Sequence, residues 1–210
     1  ICLLMPFLQA RSQQRYQHIL DAALLVFSRR GYRDASVDEI AGAAQTSKGG
    51  VYFHFPNKEA IFLHLLDRTT ARLLEKVEAA IAAQDTPLAR ADMALLTVLR
   101  TFASHRALAR LFMIEALGAG REFHRRMAEV RTQFAAVLTF HLDRAVAEGV
   151  IAPLDTEIAG RAWFGALNEV ITHWVLSGQP KNLEEAYTVL RPLLLRSVGV
   201  TVQGSQRKAK

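Results

Sequence analysis

A chain of 210 residues has room for a small recognition module and one larger core domain, and 26 Lys+Arg against 20 Asp+Glu give a formal charge of +6, which favours acidic partners without requiring them. A single cysteine, Cys2, excludes a disulfide framework and makes a reducing cytoplasm the expected compartment. The apolar opening from Ile1 to Leu8 lacks a basic leader and is too short to span a bilayer, so neither a secretory signal nor a membrane partner is expected.

Residues 1–10 read as a disordered arm or a misassigned start, with Met5 as a candidate initiator. Beyond them, Tyr16, Ile19, Ala23, Val26 and Phe27 form a stripe at helical spacing that Gly31 ends. Ser36-Val37-Asp38-Glu39 then has the form of a capping box, with both carboxylates where a helix dipole favours negative charge. The second helix breaks at Gln45-Thr46, and Ser47 is placed to cap a third one opened by Lys48-Gly49-Gly50. A connection of about three residues forces the two helices to cross steeply, which is how a helix–turn–helix projects its second helix into a major groove.

Gly49 and Gly50 make a poor helix start, at about 1 kcal/mol each against Ala. One reading is that they let the backbone approach DNA and leave Lys48 to reach a guanine edge; the other is a frayed helix end. Tyr52, His54 and Lys58 follow as donors of the kind that hold phosphate oxygens, with Val51, Phe53 and Phe55 alternating as expected buried anchors. Asn57 is placed to cap a fourth helix. Between Arg11 and Lys58 seven basic residues face four acidic ones, so half of the net charge lies in about a quarter of the chain.

At these residues the chain resembles the TetR family of one-component transcriptional repressors, from about Arg15 to Leu66, through ILDAALLVFSRRGY, SVDEIAGAA and YFHFPNKEAIF. The resemblance implies DNA contact by Ser36, Lys48 and Gly50 and phosphate contact by Tyr52, His54 and Lys58. With Ser47 and Gly49 these complete the expected DNA-binding set. Gln45-Thr46 departs from the Gly-Val of many relatives, and Gln45 is expected to sit in a type I turn.

The fourth helix is predicted from Asn57 to about Ala83, and further helices at about 88–104, 107–117, 121–148, 155–177 and 183–198, with Pro192 a local conflict in the last. No strand pattern or internal repeat stands out, so the expected class is all-α with about nine helices. The expected division is a helix–turn–helix domain at 11–56, an effector-binding and dimerisation domain at 57–199, and a disordered basic tail at 200–210.

Trp163, Leu167, Val170, Ile171 and Trp174 form one strong stripe, and Leu190, Leu193 and Leu194 belong to another. Such faces suit either the chain's own core or a two-fold four-helix interface. The family resemblance implies the second, a homodimer whose two heads read a pseudo-palindromic operator.

Between Phe102 and Phe134, large apolar groups (Phe102, Phe112, Met113, Phe134) mix with arginines (Arg106, Arg110, Arg131). The mixture fits an acyl or aryl effector carrying carboxylate or phosphates, and equally a core stripe beside a solvated basic face. Asn168, inside WFGALNEVITHWVL, is either an effector contact or a satisfied buried polar group. GALNEVITHWVLSG resembles the FadR-type branch of the family, which implies an acyl-CoA effector; a drug-like or aromatic ligand is the alternative.

None of the seven histidines forms a pair at metal-ligand spacing, and neither an H-E-x-x-H nor a G-x-S-x-G motif occurs. No catalytic residue, metal or cofactor is therefore expected. A helical protein-interaction or membrane-surface module would explain the amphipathic helices and positive charge, but not the Lys48 to Lys58 constellation.

Overall fold

A computed structural model describes residues 5–114 and 120–201, with side chains from residue 9 onward. Its described residues form nine α-helices: α1 (Met5–Asp34), α2 (Val37–Ala43), α3 (Lys48–His54), α4 (Lys58–Ala82), α5 (Pro87–Ser104), α6 (Arg106–Met113), α7 (Arg121–Ala147), α8 (Thr156–Ser177) and α9 (Glu185–Ser197). The all-α expectation and the element order agree with this. Two boundary expectations do not. Residues 5–10 belong to α1 rather than to an arm, and α6 ends at Met113. Cys2, the Gly118-Ala119 break and residues 202–210 lie outside the described residues.

The helices end where local chemistry ends them. Gly31, at φ 80 and ψ 166, interrupts α1 with a conformation that L side chains avoid. Asn57 Oδ1 accepts the Ala60 N–H at 2.7 Å to open α4, Thr86 caps α5 ahead of Pro87, and Asp155 caps α8. Gly178, left-handed at φ 73, closes α8. Pro192 is carried inside α9, where its carbonyl accepts from Arg196 Nε at 2.9 Å.

The packing divides into two compact units, residues 1–72 with 106–127 and residues 73–105 with 128–210, so α4 and α7 each contribute to both. The expected boundary at residue 56 is therefore not where contacts thin out. Phe62 of α4 explains the difference: its ring meets Phe27 and Tyr32 of α1 at 5.2 and 4.7 Å, Phe112 of α6 at 5.9 Å and Phe123 of α7 at 5.1 Å. Ile19, Leu20, Phe27, Ile40, Val51 and Phe55 complete a fully buried core around it. Each such side chain stabilises the unit by about 1.5–3 kcal/mol.

In the second unit, Gly160 of α8 lies so close to α7 that a Cβ there would run into Thr139 Oγ1 and come within 3.0 Å of the Thr139 backbone nitrogen. Asp92 joins α5 to α9, accepting from Tyr187 Oη at 2.7 Å and Arg191 Nε at 2.5 Å. Trp163 is buried and donates its indole N–H to Ser197 Oγ at 3.1 Å.

Candidate nucleic-acid interface

The first unit carries the helix–turn–helix, and its caps hold it. Ser36 Oγ accepts the Glu39 N–H at 3.2 Å while Glu39 Oε2 accepts the Ser36 N–H at 3.0 Å, a complete capping box. The backbone N–H of Ser36 leads the contacts that hold the Glu39 carboxyl below its ordinary pKa, and Arg30 adds to them from 3.3 Å. Ser36, expected at DNA, is thus engaged on both sides within its own cap; its hydroxyl also donates to Glu39.

The turn is not type I. Gln45 is left-handed at φ 51, Gln45 N–H donates to Gly42 O at 3.1 Å and Thr46 N–H to Ala41 O at 3.0 Å, which is a Schellman closure of α2. Ser47 then caps α3 by accepting the Gly50 N–H at 3.1 Å. The glycine pair divides in role. A Cβ on Gly50 would press on Thr46 Oγ1, so Gly50 serves the tightness of the turn, whereas Gly49 faces open space beyond a contact of 3.9 Å.

Within α3 the expected alternation of anchors fails at one residue. Val51 and Phe55 are buried, but Phe53 is 80 % exposed. A period of two belongs to a strand; on a helix, residues four apart share a face and the one between them points away. Phe53 therefore joins Tyr52, itself 45 % exposed, on the outer side of α3. Lys48 is exposed too, with its Nζ 2.8 Å from Asp38 Oδ2 of α2, a contact that raises the pKa of its ammonium. His54 is half-buried against Tyr16, ring centroids 6.2 Å apart; burial first and the cation of Arg15 second depress its pKa.

Lys58 is placed differently from the phosphate contact expected of it. Its Nζ donates to the carbonyls of Tyr32, Arg33 and Ala35 at 2.8, 2.9 and 2.9 Å and lies 4.8 Å from the centre of the Tyr32 ring. An ammonium has three N–H donors, and all three are used where α1 runs out of helix. Arg11 and Arg15, which stand out in the sequence only as net charge, line a cleft with Gly50, Phe53 and His54. Their spacing of four on one helix was the available signal.

In the second unit Phe134 of α7 and Phe164 of α8 stack at 6.2 Å and 12°. Both line a narrow apolar slot of about 20 Å³ with Val77, Leu95, Val98 and Leu167, room for no more than a small solvent molecule. Phe164 also borders an open groove of about 670 Å³ that carries Arg131 and Arg161 together with Asp143 and Glu157, the last paired with Arg161 at 2.5 Å. Of the expected effector residues, only Phe134 and Arg131 reach these two spaces. Phe102 is core of the second unit and Asn168 is half-buried on α8. Arg106, Arg110, Phe112 and Met113 belong to the first unit, where Phe112 packs on Phe62.

The expected interface stripe turns inward. Trp163, Leu167, Ile171, Trp174, Leu190 and Leu194 are buried within the chain's own core and Val170 is half-buried; Leu193 alone of that set is exposed. The strongest apolar stripe of an amphipathic helix goes to the core it folds onto. A second row faces outward: Ile158 and Leu176 on α8, with Gly165 between them in open space, and Val189 and Leu193 on α9. No helix of the described residues is long and apolar enough to cross a membrane, and no group of three metal-ligating side chains occurs among them.

These two units match known proteins along nearly their whole length. Residues 19–65 match the model of bacterial regulatory proteins of the tetR family, and residues 59–196 that of a tetracyclin repressor-like C-terminal domain. The fatty acid metabolism regulator protein of Bacillus subtilis is 25 % identical over 189 residues, covering 90 % of this chain and 97 % of the relative. The crystal structure of the FadR regulator of Bacillus subtilis in complex with stearoyl-CoA superposes with a TM-score of 0.79 at 26 % identity, over 85 % of this chain and 97 % of that one. The fatty acid degradation regulator FadR of Bacillus halodurans gives 0.78 at 27 % identity, over 86 % and 97 %. The capped helix–turn–helix and the second helical unit are therefore parts of one known design, and the chain belongs to the tetR family of bacterial regulatory proteins.

Proposed function

We propose that this chain is a ligand-responsive transcriptional repressor of the cytoplasm that binds a pseudo-palindromic operator as a homodimer and is released by a long-chain acyl-CoA. The observation that carries the DNA reading is the outer face of α3, where a Schellman turn and the Ser47 cap hold Lys48, Tyr52 and Phe53 outward while Val51 and Phe55 anchor the helix from behind. Lys48 is the base-reading side chain and Tyr52 a phosphate contact. Ser36, Ser47, Gly49 and Gly50 shape the backbone that presents them, and Lys58 fixes the start of α4 against the end of α1.

The effector reading is supported by the apolar slot beside an arginine-bearing groove and by the stearoyl-CoA held by the Bacillus subtilis regulator. An acyl chain enters the slot when Phe134 and Phe164 part, and the charged head stays in the groove near Arg131, since Arg161 is already paired with Glu157. The dimer forms through the outward row of Ile158, Gly165, Leu176, Val189 and Leu193, which leaves the inward stripe to the core.

Selection of bound fragments from random DNA, followed by anisotropy titration with and without stearoyl-CoA, tests the proposal. A coupling of about 1–3 kcal/mol gives operator binding 5- to 150-fold weaker with effector. Operator affinity that is indifferent to acyl-CoA of every chain length would remove the effector; no binding to duplex would remove the regulator.

A further inference from the structure

The cleft between α1 and α3 has an electrostatic character that neither helix shows alone. It measures about 240 Å³ and is lined by Arg11, Ser12 and Arg15 of α1 and by Gly50, Phe53 and His54 of α3. From Met5 to Leu20 α1 carries no carboxylate, and α3 carries none from end to end. The first acid after them, Asp21, is paired with Arg68 at 2.8 Å. Arg11 and Arg15 have no ion-pair or hydrogen-bond partner among the described residues, in contrast to Arg30, Lys48 and Lys58, whose cationic groups are occupied within the unit.

Two unpaired guanidiniums one helical turn apart, in a concave site without an opposing acid, attract a small anion. The location selects which one. Gly50, Phe53 and His54 belong to the helix that lies in the major groove on the proposed function, and the walls of that groove are rows of phosphates. Phe53 offers the cleft an apolar wall that suits the deoxyribose next to a phosphate, which also accounts for a phenyl ring left 80 % exposed.

We infer that α1 and α3 together form a seat for one DNA backbone phosphodiester, held by Arg11 and Arg15 and flanked by Phe53. The seat rests on the DNA-binding reading and extends it to α1, which then clamps the backbone beside the bases that Lys48 reads. It is indifferent to sequence, since guanidiniums on phosphate oxygens carry no base information.

The test is a salt titration of the full chain on a random duplex, comparing wild type, the double variant Arg11→Ala/Arg15→Ala, the double variant Arg11→Lys/Arg15→Lys, and Arg144→Ala as a charge control on α7 in the other unit. Loss of one phosphate contact lowers the slope of log K against log salt by about 0.9 in the alanine pair, while the lysine pair and Arg144→Ala keep the wild-type slope. Circular dichroism and thermal unfolding establish that the alanine pair is folded; if it is not, Arg15→Ala alone is titrated against the same criterion. A folded alanine variant with the wild-type slope, or an equal drop in Arg144→Ala, overturns the seat. Wild-type protein without salt-dependent duplex binding overturns instead the DNA-binding reading on which the seat depends.

Discussion

Lys48 Nζ lies 2.8 Å from Asp38 Oδ2, so the side chain we propose as the base reader is tied to a carboxylate of the preceding helix. Both groups are exposed, and such pairs contribute little to folding. They matter more for binding, because Lys48 must leave or share Asp38 to reach DNA. Asp38→Asn is expected to tighten binding to random duplex by roughly 1.5- to 5-fold, the equivalent of one exposed ion pair. Lys48→Ala is expected to lower the preference for a selected operator over random duplex. Anisotropy titrations at fixed salt measure both, and unchanged preference in Lys48→Ala would remove its base-reading role.

Lys58 makes the opposite prediction. With its three donors on the carbonyls of Tyr32, Arg33 and Ala35, Lys58→Met is expected to cost about 2 kcal/mol in urea unfolding. The salt slope of duplex binding should stay at its wild-type value. A slope lower by about 0.9 with stability intact would return Lys58 to the phosphate backbone.

Gln45 occupies a left-handed position without being glycine. Gln45→Gly is expected to stabilise the protein by about 1 kcal/mol in thermal or denaturant unfolding, since an L side chain pays that order of strain at positive φ. A loss of stability would mean that the Gln45 side chain contributes more than its backbone costs.

The Asp92–Tyr187–Arg191 cluster sets an alkaline limit. Burial first, and the hydrogen bond to Asp92 second, push the Tyr187 pKa up to about 12, against 10.0 for an ordinary phenol. The folded state therefore keeps its proton while the unfolded chain releases it. The resulting stability is fully present below pH 10 and is lost as pH rises toward about 12. Tyr187→Phe should flatten that decline in urea midpoints measured across the same window. Asp92→Asn, which weakens both hydrogen bonds, should cost about 1–2 kcal/mol at neutral pH.

Leu193 and Leu194 are neighbours in sequence with opposite surroundings, 55 % and 3 % exposed. Leu193→Glu is expected to keep the wild-type circular dichroism and sediment as a monomer. Leu194→Glu is expected to unfold, because it buries an unpaired carboxylate. A folded Leu193→Glu dimer in analytical ultracentrifugation would move the interface elsewhere.

The contrast between these two leucines also shows what the sequence could tell. Helix ends were readable because they rest on local chemistry: Ser36 with Glu39, Ser47, Asn57 and Gly178 each act on neighbours a few residues away. The division of surfaces was not, because it depends on which of two apolar rows meets the core. Trp163 and Ile171 advertise a buried face but not what buries it, and the row left facing outward is the weaker one around Gly165. Lys58 escaped for a related reason. Its partners are three backbone carbonyls more than twenty residues earlier, and carbonyls leave no mark in a sequence.

Phe62 has a consequence for how the molecule is made. The ring that fills the recognition unit waits for Phe112 and Phe123, some fifty to sixty positions further along the chain. A ribosome that has released only the first seventy-two residues has therefore produced a head whose central aromatic has its α1 neighbours but is still uncovered on the side that Phe112 and Phe123 fill. The part that reads DNA is not a detachable cassette, and a fragment ending before α6 should be a client for chaperones rather than a regulator in miniature.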